Sequence, residues 1–266
     1  MAQLQGIRDA HCLPAGAPGA DLTDEDTYAL LSLCAFDTVA HYLDGKYKGN
    51  HNHSPFCGLF TREEFQQFEY VGDLDKFYKT GYVDILILPL TDQTIHHRYG
   101  NPLGPVQGVG YVNELLSRLT STPVQDSTQV NHTLDSSPIT FPLNRTVYAD
   151  FTHDNEMIPI YATIGLFKQP APLNPEAPDE KRTWRASQLV PFAARMVVEK
   201  LKCKTKRRFG HGEEEFVRIF VNDVLQPLEF CSDHSRGIGL CTLSTFVESQ
   251  SYARNNGEGD FERCFP

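Results

Sequence analysis

The chain has 266 residues, 40% apolar and 22% charged, an ordinary globular balance with length enough for a real core. Lys and Arg number 24 against 34 Asp and Glu, a net charge of −10 that disfavours a nucleic-acid partner, whose binding rests on cations neutralising phosphates. Its apolar runs fall short of the ~20 residues that cross a bilayer, so no membrane partner is expected, and residues 1–10 lack the apolar core of a signal peptide.

Residues 1–21 read as irregular, punctuated by Pro14, Gly16, Pro18 and Gly19. Thr23, followed by Asp24, Glu25 and Asp26, opens a helix expected to reach about Leu43. A Thr cap satisfies exposed N–H groups, and acids suit the positive helix end. Tyr28, Leu31, Leu33, Cys34 and Phe36 make its apolar side. After a polar loop over 44–53, Thr61 and Glu64 form a capping box, and a second helix runs through Phe65 and Phe68 towards Tyr78. Residues 82–98 change character: 83–90 looks like a strand interrupted by Pro89, and His96 and His97 follow. Beyond the turn cluster at 100–105, the helical spacing of Val109, Val112, Leu115, Leu116 and Leu119 predicts a helix over 106–119. Residues 121–137 read as a polar loop.

Residues 146–151 read as a strand, β-branched and aromatic with no helical period. Residues 156–167 are apolar over a helical length, with Asp154 or Asn155 where an N-cap belongs. His153 and Asp154 therefore fall where a strand's carboxyl end meets a helix N-terminus, a place at which α/β folds bind anions. Alone, the pair says little, because a capping Asp is common. Pro170, Pro172, Pro175 and Pro178 mark 169–180 as a long loop. Residues 190–198 read as a strand, with 199–202 left open between strand and helix. A charged excursion over 202–215 reads as a hairpin tip. A strand over 216–221 turns at Asn222 and Asp223, 231–241 is a small loop, and a last helix covers 242–252.

Two other chemistries fail on residue count. Zinc needs about four converging ligands, and His51, His53 and Cys57, or His96 with His97, are too few, so no metal is expected. A serine hydrolase lacks its Gly-x-Ser-x-Gly elbow. Asn131 and Asn144 each open an N-glycosylation sequon, and with seven Cys they point to a secreted protein whose amino-terminal start is missing.

The string Tyr148-Ala-Asp-Phe-Thr-His-Asp-Asn155 resembles the His-Asp motif of fungal phytases, in the histidine acid phosphatase family. Further strings at 22–26, 34–38, 54–57, 100–111, 131–138, 190–195, 221–223 and 261–265 are similar to that family, in its order. The resemblance implies an α/β fold: a histidine-phosphatase-like α/β domain, incomplete here, with a smaller helical domain. Residues 1–21 would be an irregular amino-terminal segment and 22–81 the helical part. Residues 82–98 would be an insertion, readable as a translated intron, and 99–266 the carboxyl-terminal part of the α/β domain. The activity implied is acid phosphomonoester hydrolysis of a small phosphate ester such as phytate, without a cofactor. Asp154 would be the general acid, His153 a phosphate ligand and Asn155 a substrate contact. Disulfides Cys34–Cys57 and Cys231–Cys241 are implied, while the family partners of Cys203 and Cys264 have no counterpart here and Cys12 matches nothing. Lys46 or Lys48 stands near the place of a lysine tied to phytate binding, which leaves phytate against simpler esters open.

One departure governs the chemistry. The family nucleophile is the His of an Arg-His-Gly-x-Arg-x-Pro motif, and the sequence contains none; Arg208-Phe-Gly-His211 has the wrong order. The chain as written is expected to be inactive or very slow. The rival expectation is a non-catalytic fragment or pseudoenzyme that binds phosphate esters or a partner.

Overall fold

The structure, a computed structural model, describes residues 22–42, 45, 53–79, 103–207, 210–231 and 239–265. Cys12, Lys46, Lys48, His51, His96, His97 and the whole of 82–98 lie outside them. The chain divides into two compact units, one of residues before Lys76 with Asn174–Glu180, the other of Lys76–Leu173 with Lys181–Pro266.

In the first unit, helix α1 (Asp24–Tyr42) starts as its sequence dictates. Thr23 Oγ1 accepts the Asp26 N–H at 3.1 Å, and Asp26 Oδ2 accepts the Thr23 N–H at 2.9 Å. Its apolar side is narrower than expected. Thr27 and Leu31 are buried and Cys34 is disulfide-bonded, one stripe at helical spacing, while Tyr28, Leu33 and Phe36 lie off it and are exposed. Leu31 packs on Phe60, Phe65, Phe68 and Val71. The Cys34–Cys57 disulfide ties α1 to a 3₁₀ turn, Pro55–Leu59. Helix α2 (Arg62–Lys79), whose last turn from Lys76 belongs to the second unit, opens on the expected capping box: Glu64 Oε2 accepts the Thr61 N–H at 2.7 Å, and Thr61 Oγ1 accepts the Glu64 N–H at 3.3 Å.

In the second unit, a 3₁₀ turn, Gly104–Gly108, leads into α3 (Val109–Thr120), whose five expected apolar residues are all buried. Residues 121–137 are not loop throughout: α4 (His132–Asp135) forms one turn there, because the Asn131 side chain caps the Thr133 N–H. Helix α5 (Asp154–Ile164) buries everything from Ile158 to Ile164 and ends at Gly165, whose φ of 91° lets the chain turn out of the helix before the expected 167. Gly108 lies so close to α5 that a Cβ there would meet Thr163 Oγ1 at 2.5 Å and the Pro159 carbonyl at 2.8 Å. Only glycine allows this helix approach.

A short helix, α6 (Ala186–Leu189), precedes the sheet. Strands β1 (Met196–Arg207) and β2 (Gly210–Val221) form one long antiparallel hairpin, from Met196 opposite Val221 to Arg207 opposite Gly210. The strand expected from 190 begins only at Met196, because Ala193 turns the chain with φ 59°. The open stretch 199–202 is strand. Phe216 and Val217 are adjacent and both buried, so both faces of β2 are covered there. Asn222 and Asp223, at φ 50° and 67°, turn β2 into β3 (Val224–Leu225). Strand β4 (Cys241–Thr242) pairs with β2 on its other stretch, and the Cys231–Cys241 disulfide closes the loop before it. The expected last helix is two, α7 (Leu243–Ser249) and α8 (Ser251–Arg254). They part at Gln250, whose buried amide donates to the Ile164 carbonyl at 3.3 Å.

The strand expected over 146–151 does not form among the described residues. A strand exists by pairing its backbone, and no described strand runs beside this segment. Val147 is exposed and Phe151 is 96% exposed. Helices with an antiparallel sheet make the fold α/β, as expected.

Candidate functional site

The amino-terminal end of α5 brings the expected residues together. His153, not Asp154 or Asn155, is the N-cap: its carbonyl accepts the Glu156 and Met157 N–H groups, both at 3.1 Å. Asp154 is already helical, and its side chain is engaged elsewhere. Asp154 Oδ1 accepts the Asn155 N–H at 2.8 Å. Asp154 Oδ2 accepts from Lys76 Nζ at 2.6 Å, and the same ammonium donates to Asn155 Oδ1. Lys76 lies in the last turn of α2, with its side chain 17% exposed against 49% for Asp154.

This geometry sets the charge of the Asp154 side chain. Burial by itself would push the Asp154 carboxyl up, but the Lys76 hydrogen bond and charge, with the backbone N–H groups of Asn155 and Asp154, outweigh it and hold the group below the usual carboxylate range. At neutral pH the carboxyl is therefore an ion. Glu156, half-buried in the same helical turn, goes the other way: burial raises it, and the nearby His153 only partly offsets that. Sequence reasoning missed Lys76. It stands 78 residues from Asp154, and no local pattern in α2 marks it.

The remaining expected residues are spread through the fold. Asn131 and Asn144 are exposed, and Asn131 Oδ1 accepts from the Thr133 N–H and hydroxyl at 3.0 and 2.6 Å. Its amide nitrogen is not used in that turn. Both implied disulfides are formed, while Cys203 and Cys264 carry none. Of the zinc candidates, Cys57 is disulfide-bonded and His51, His96 and His97 lie outside the described residues. No helix among the described residues is long and apolar enough to cross a membrane.

His132, also missed, has acceptors at both ring nitrogens: Asp135 Oδ1 at 3.0 Å from Nδ1 and the Asp126 carbonyl at 2.6 Å from Nε2. A carbonyl only accepts, and a neutral imidazole carries one N–H, so satisfying both contacts requires the imidazolium. The Asp135 hydrogen bond is the main reason that the ring's pKa is raised, followed by the Asp126 carbonyl.

The model for the histidine phosphatase superfamily (branch 2) matches residues 8–222. Phytase A of Emericella nidulans is 40% identical over 251 residues, 93% of this chain and 47% of that protein. Phytase A of Aspergillus fumigatus is 41% identical over 251 residues, with the same shares covered. The crystal structure of the phytase from D. castellii is similar with a TM-score of 0.62 at 23% identity, over 95% of this chain and 42% of that one, a likeness of fold. The chain spans about half the length of the curated relatives that it matches.

Proposed function

The chain belongs to the histidine phosphatase superfamily (branch 2), and on that premise we propose that it supplies the leaving-group side of an acid phosphomonoesterase site acting on phosphate esters such as phytate. Asp154 is the general acid in this reading, and His153 and Asn155 contact the phosphate. A phosphate ester releases its alcohol readily only if a proton reaches the bridging oxygen as the P–O bond breaks. In this reading Asp154 gives that proton, yet Lys76 holds its carboxyl below the usual carboxylate range. A bound phosphate resolves the conflict. Its oxygens compete with Asp154 for the Lys76 ammonium, and a neighbouring anion raises a carboxyl's pKa. Lys76 then serves the phosphate, and Asp154 regains a proton to donate. The 2.6 Å pairing of the acid with a cation is the observation that carries this reading.

Attack on phosphorus needs a nucleophile, and the sequence has no Arg-His-Gly-x-Arg-x-Pro. General acid catalysis alone contributes about 10²- to 10⁴-fold, against one of the slowest uncatalysed reactions. The polypeptide as written therefore turns over very slowly. The same missing motif favours a second reading, a non-catalytic binder of phosphate esters or of a partner. Secretion, with glycans on Asn131 and Asn144, belongs to the first reading and is supported by the two disulfides. So does the layout of a helical part over 22–81, a translated intron over 82–98, and part of an α/β domain over 99–266. A mature message that retains the codons for 82–98 removes the intron from it.

The test expresses the chain as written and a version extended by an upstream half bearing the motif, without 82–98. Both are assayed on p-nitrophenyl phosphate and phytate at acid pH, with and without Asp154→Asn. Activity confined to the extended version and lost with Asp154→Asn supports the reading. Comparable Asp154-dependent activity in the chain as written refutes the nucleophile assignment, and phosphate-ester binding without turnover in either version favours the binder.

A further inference from the structure

The segment that delivers His153 and Asp154 to α5 has little to hold it. From 142 to 153 no backbone N–H meets a backbone carbonyl among the described residues, and the Arg145 N–H goes to the Tyr148 hydroxyl at 3.2 Å. Val147, Ala149 and Phe151 face solvent.

One side chain of α3 grips it. Arg118 Nη1 donates to Asp150 Oδ2 at 2.5 Å and Nη2 to Asp150 Oδ1 at 3.2 Å, a fork that fixes the carboxylate's plane. The guanidinium carbon lies 4.9 Å from the Phe141 ring centre and 5.1 Å from that of Tyr148, within cation–π range of both. Glu114, one turn back on α3, accepts from Nη2 at 3.5 Å. The Arg118 side chain is only 14% exposed, so this is no loose surface pair. Tyr111 borders the cluster; burial first, and Asp150 second, push its phenol up to about 12.

We propose that Arg118 is a positioning residue: by holding Phe141, Tyr148 and Asp150 it sets where the chain enters α5, and so whether Asp154 meets Lys76. Its importance for catalysis rests on the reading of Asp154 as the acid, but its geometry does not. Asp154 lies four residue steps beyond Asp150, and an extended chain of that length spans ~13 Å. Once Asp150 is released, the entry to α5 can swing by more than the whole length of the Lys76 contact.

The readout is the Asp154 carboxyl itself, followed by carbon-detected NMR titration of the full chain and assigned with Asp154→Asn. The main influences on that group's titration are its burial, Lys76 and the backbone N–H groups of Asn155 and Asp154, and neither Arg118 nor Asp150 is among them. In Arg118→Ala the Asp154 titration is expected to shift upward, towards that of ordinary exposed aspartates, with a smaller shift in Arg118→Lys. Asp150→Asn should shift it upward too. Losing a negative charge nearby would by itself move it down, so the upward sign is diagnostic. A role confined to stability lowers the melting temperature and leaves the Asp154 titration in place. An unshifted Asp154 in folded Arg118→Ala overturns the proposal. If that variant does not fold, an unshifted or lowered Asp154 in Asp150→Asn overturns it instead. Failure of the phosphatase assay above would leave this titration untouched, so the two ideas fail separately.

Discussion

Replacing Lys76 with methionine tests the electrostatics of the site without any assay of turnover. Methionine keeps an apolar stem of similar reach and removes the ammonium. The pair it breaks is short, 2.6 Å, but Asp154 is 49% exposed, and solvent screens it accordingly. Exposed pairs contribute roughly 0.2–1 kcal/mol, and the burial of Lys76 places this one near the upper end, so a loss of about 1 kcal/mol is expected at pH 7. The sign of the pH dependence follows from the direction of the shift. The fold holds the Asp154 carboxyl below its ordinary range, so the contribution is present above the unfolded chain's value, ~3.9. It disappears as pH falls through the lower folded value. Denaturant unfolding of parent and Lys76→Met, at pH 7 and again at pH 2, measures the difference. A gap equally wide at both pH values would refute the reasoning, because it would mean that the lysine stem packs and the ion pair contributes nothing.

His132 carries a raised pKa, so its contribution to the turn at α4 is complete below the ordinary histidine value and is lost as pH rises through the folded one. Hydrogen exchange at Leu134 to Ser136 should speed up across that window, and His132→Gln, which preserves the sequon, should flatten the dependence. Gly108→Ala should destabilise the α3–α5 contact by about 1–3 kcal/mol, read as a lower melting temperature, since its Cβ would strike Thr163 Oγ1 and the Pro159 carbonyl. Replacing Cys34 and Cys57 together by Ser should cost about 2–4 kcal/mol; unchanged unfolding under oxidising conditions would show that the bond does not form in solution.

Local chemistry was legible in the sequence wherever it closes on itself. The Thr61–Glu64 box and the buried row from Val109 to Leu119 need only neighbours three or four residues away. The strand over 146–151 was not legible as absent, because β-propensity describes a fit to a pleated surface and says nothing of whether a partner is present. Residues 199–202 looked ambiguous because Glu, Lys and Leu suit helices. Contacts across the hairpin decide it: Glu199 pairs with Arg218 at 2.5 Å, Lys200 with Glu215 at 2.9 Å and Lys202 with Glu213 at 2.6 Å. At the site, the His153–Asp154–Asn155 string could be read directly, but the cation that sets its charge could not. Lys76 reaches it across 78 residues of chain, and only the fold brings such positions together.

The bare backbone between Pro142 and His153 also bears on how this protein is cut. A protease must draw a stretch of several residues, free of backbone pairing, into its cleft; among the described residues this segment has no backbone-to-backbone bonds, while α3 and α5 on either side are helical. Cleavage there would leave a nicked molecule whose pieces stay together, because Gly108 keeps the turn before α3 locked against α5. The sequon at Asn144 stands at the head of the vulnerable stretch. A sugar on that asparagine would act as a guard, obstructing the cleft at the place where the chain offers itself most openly.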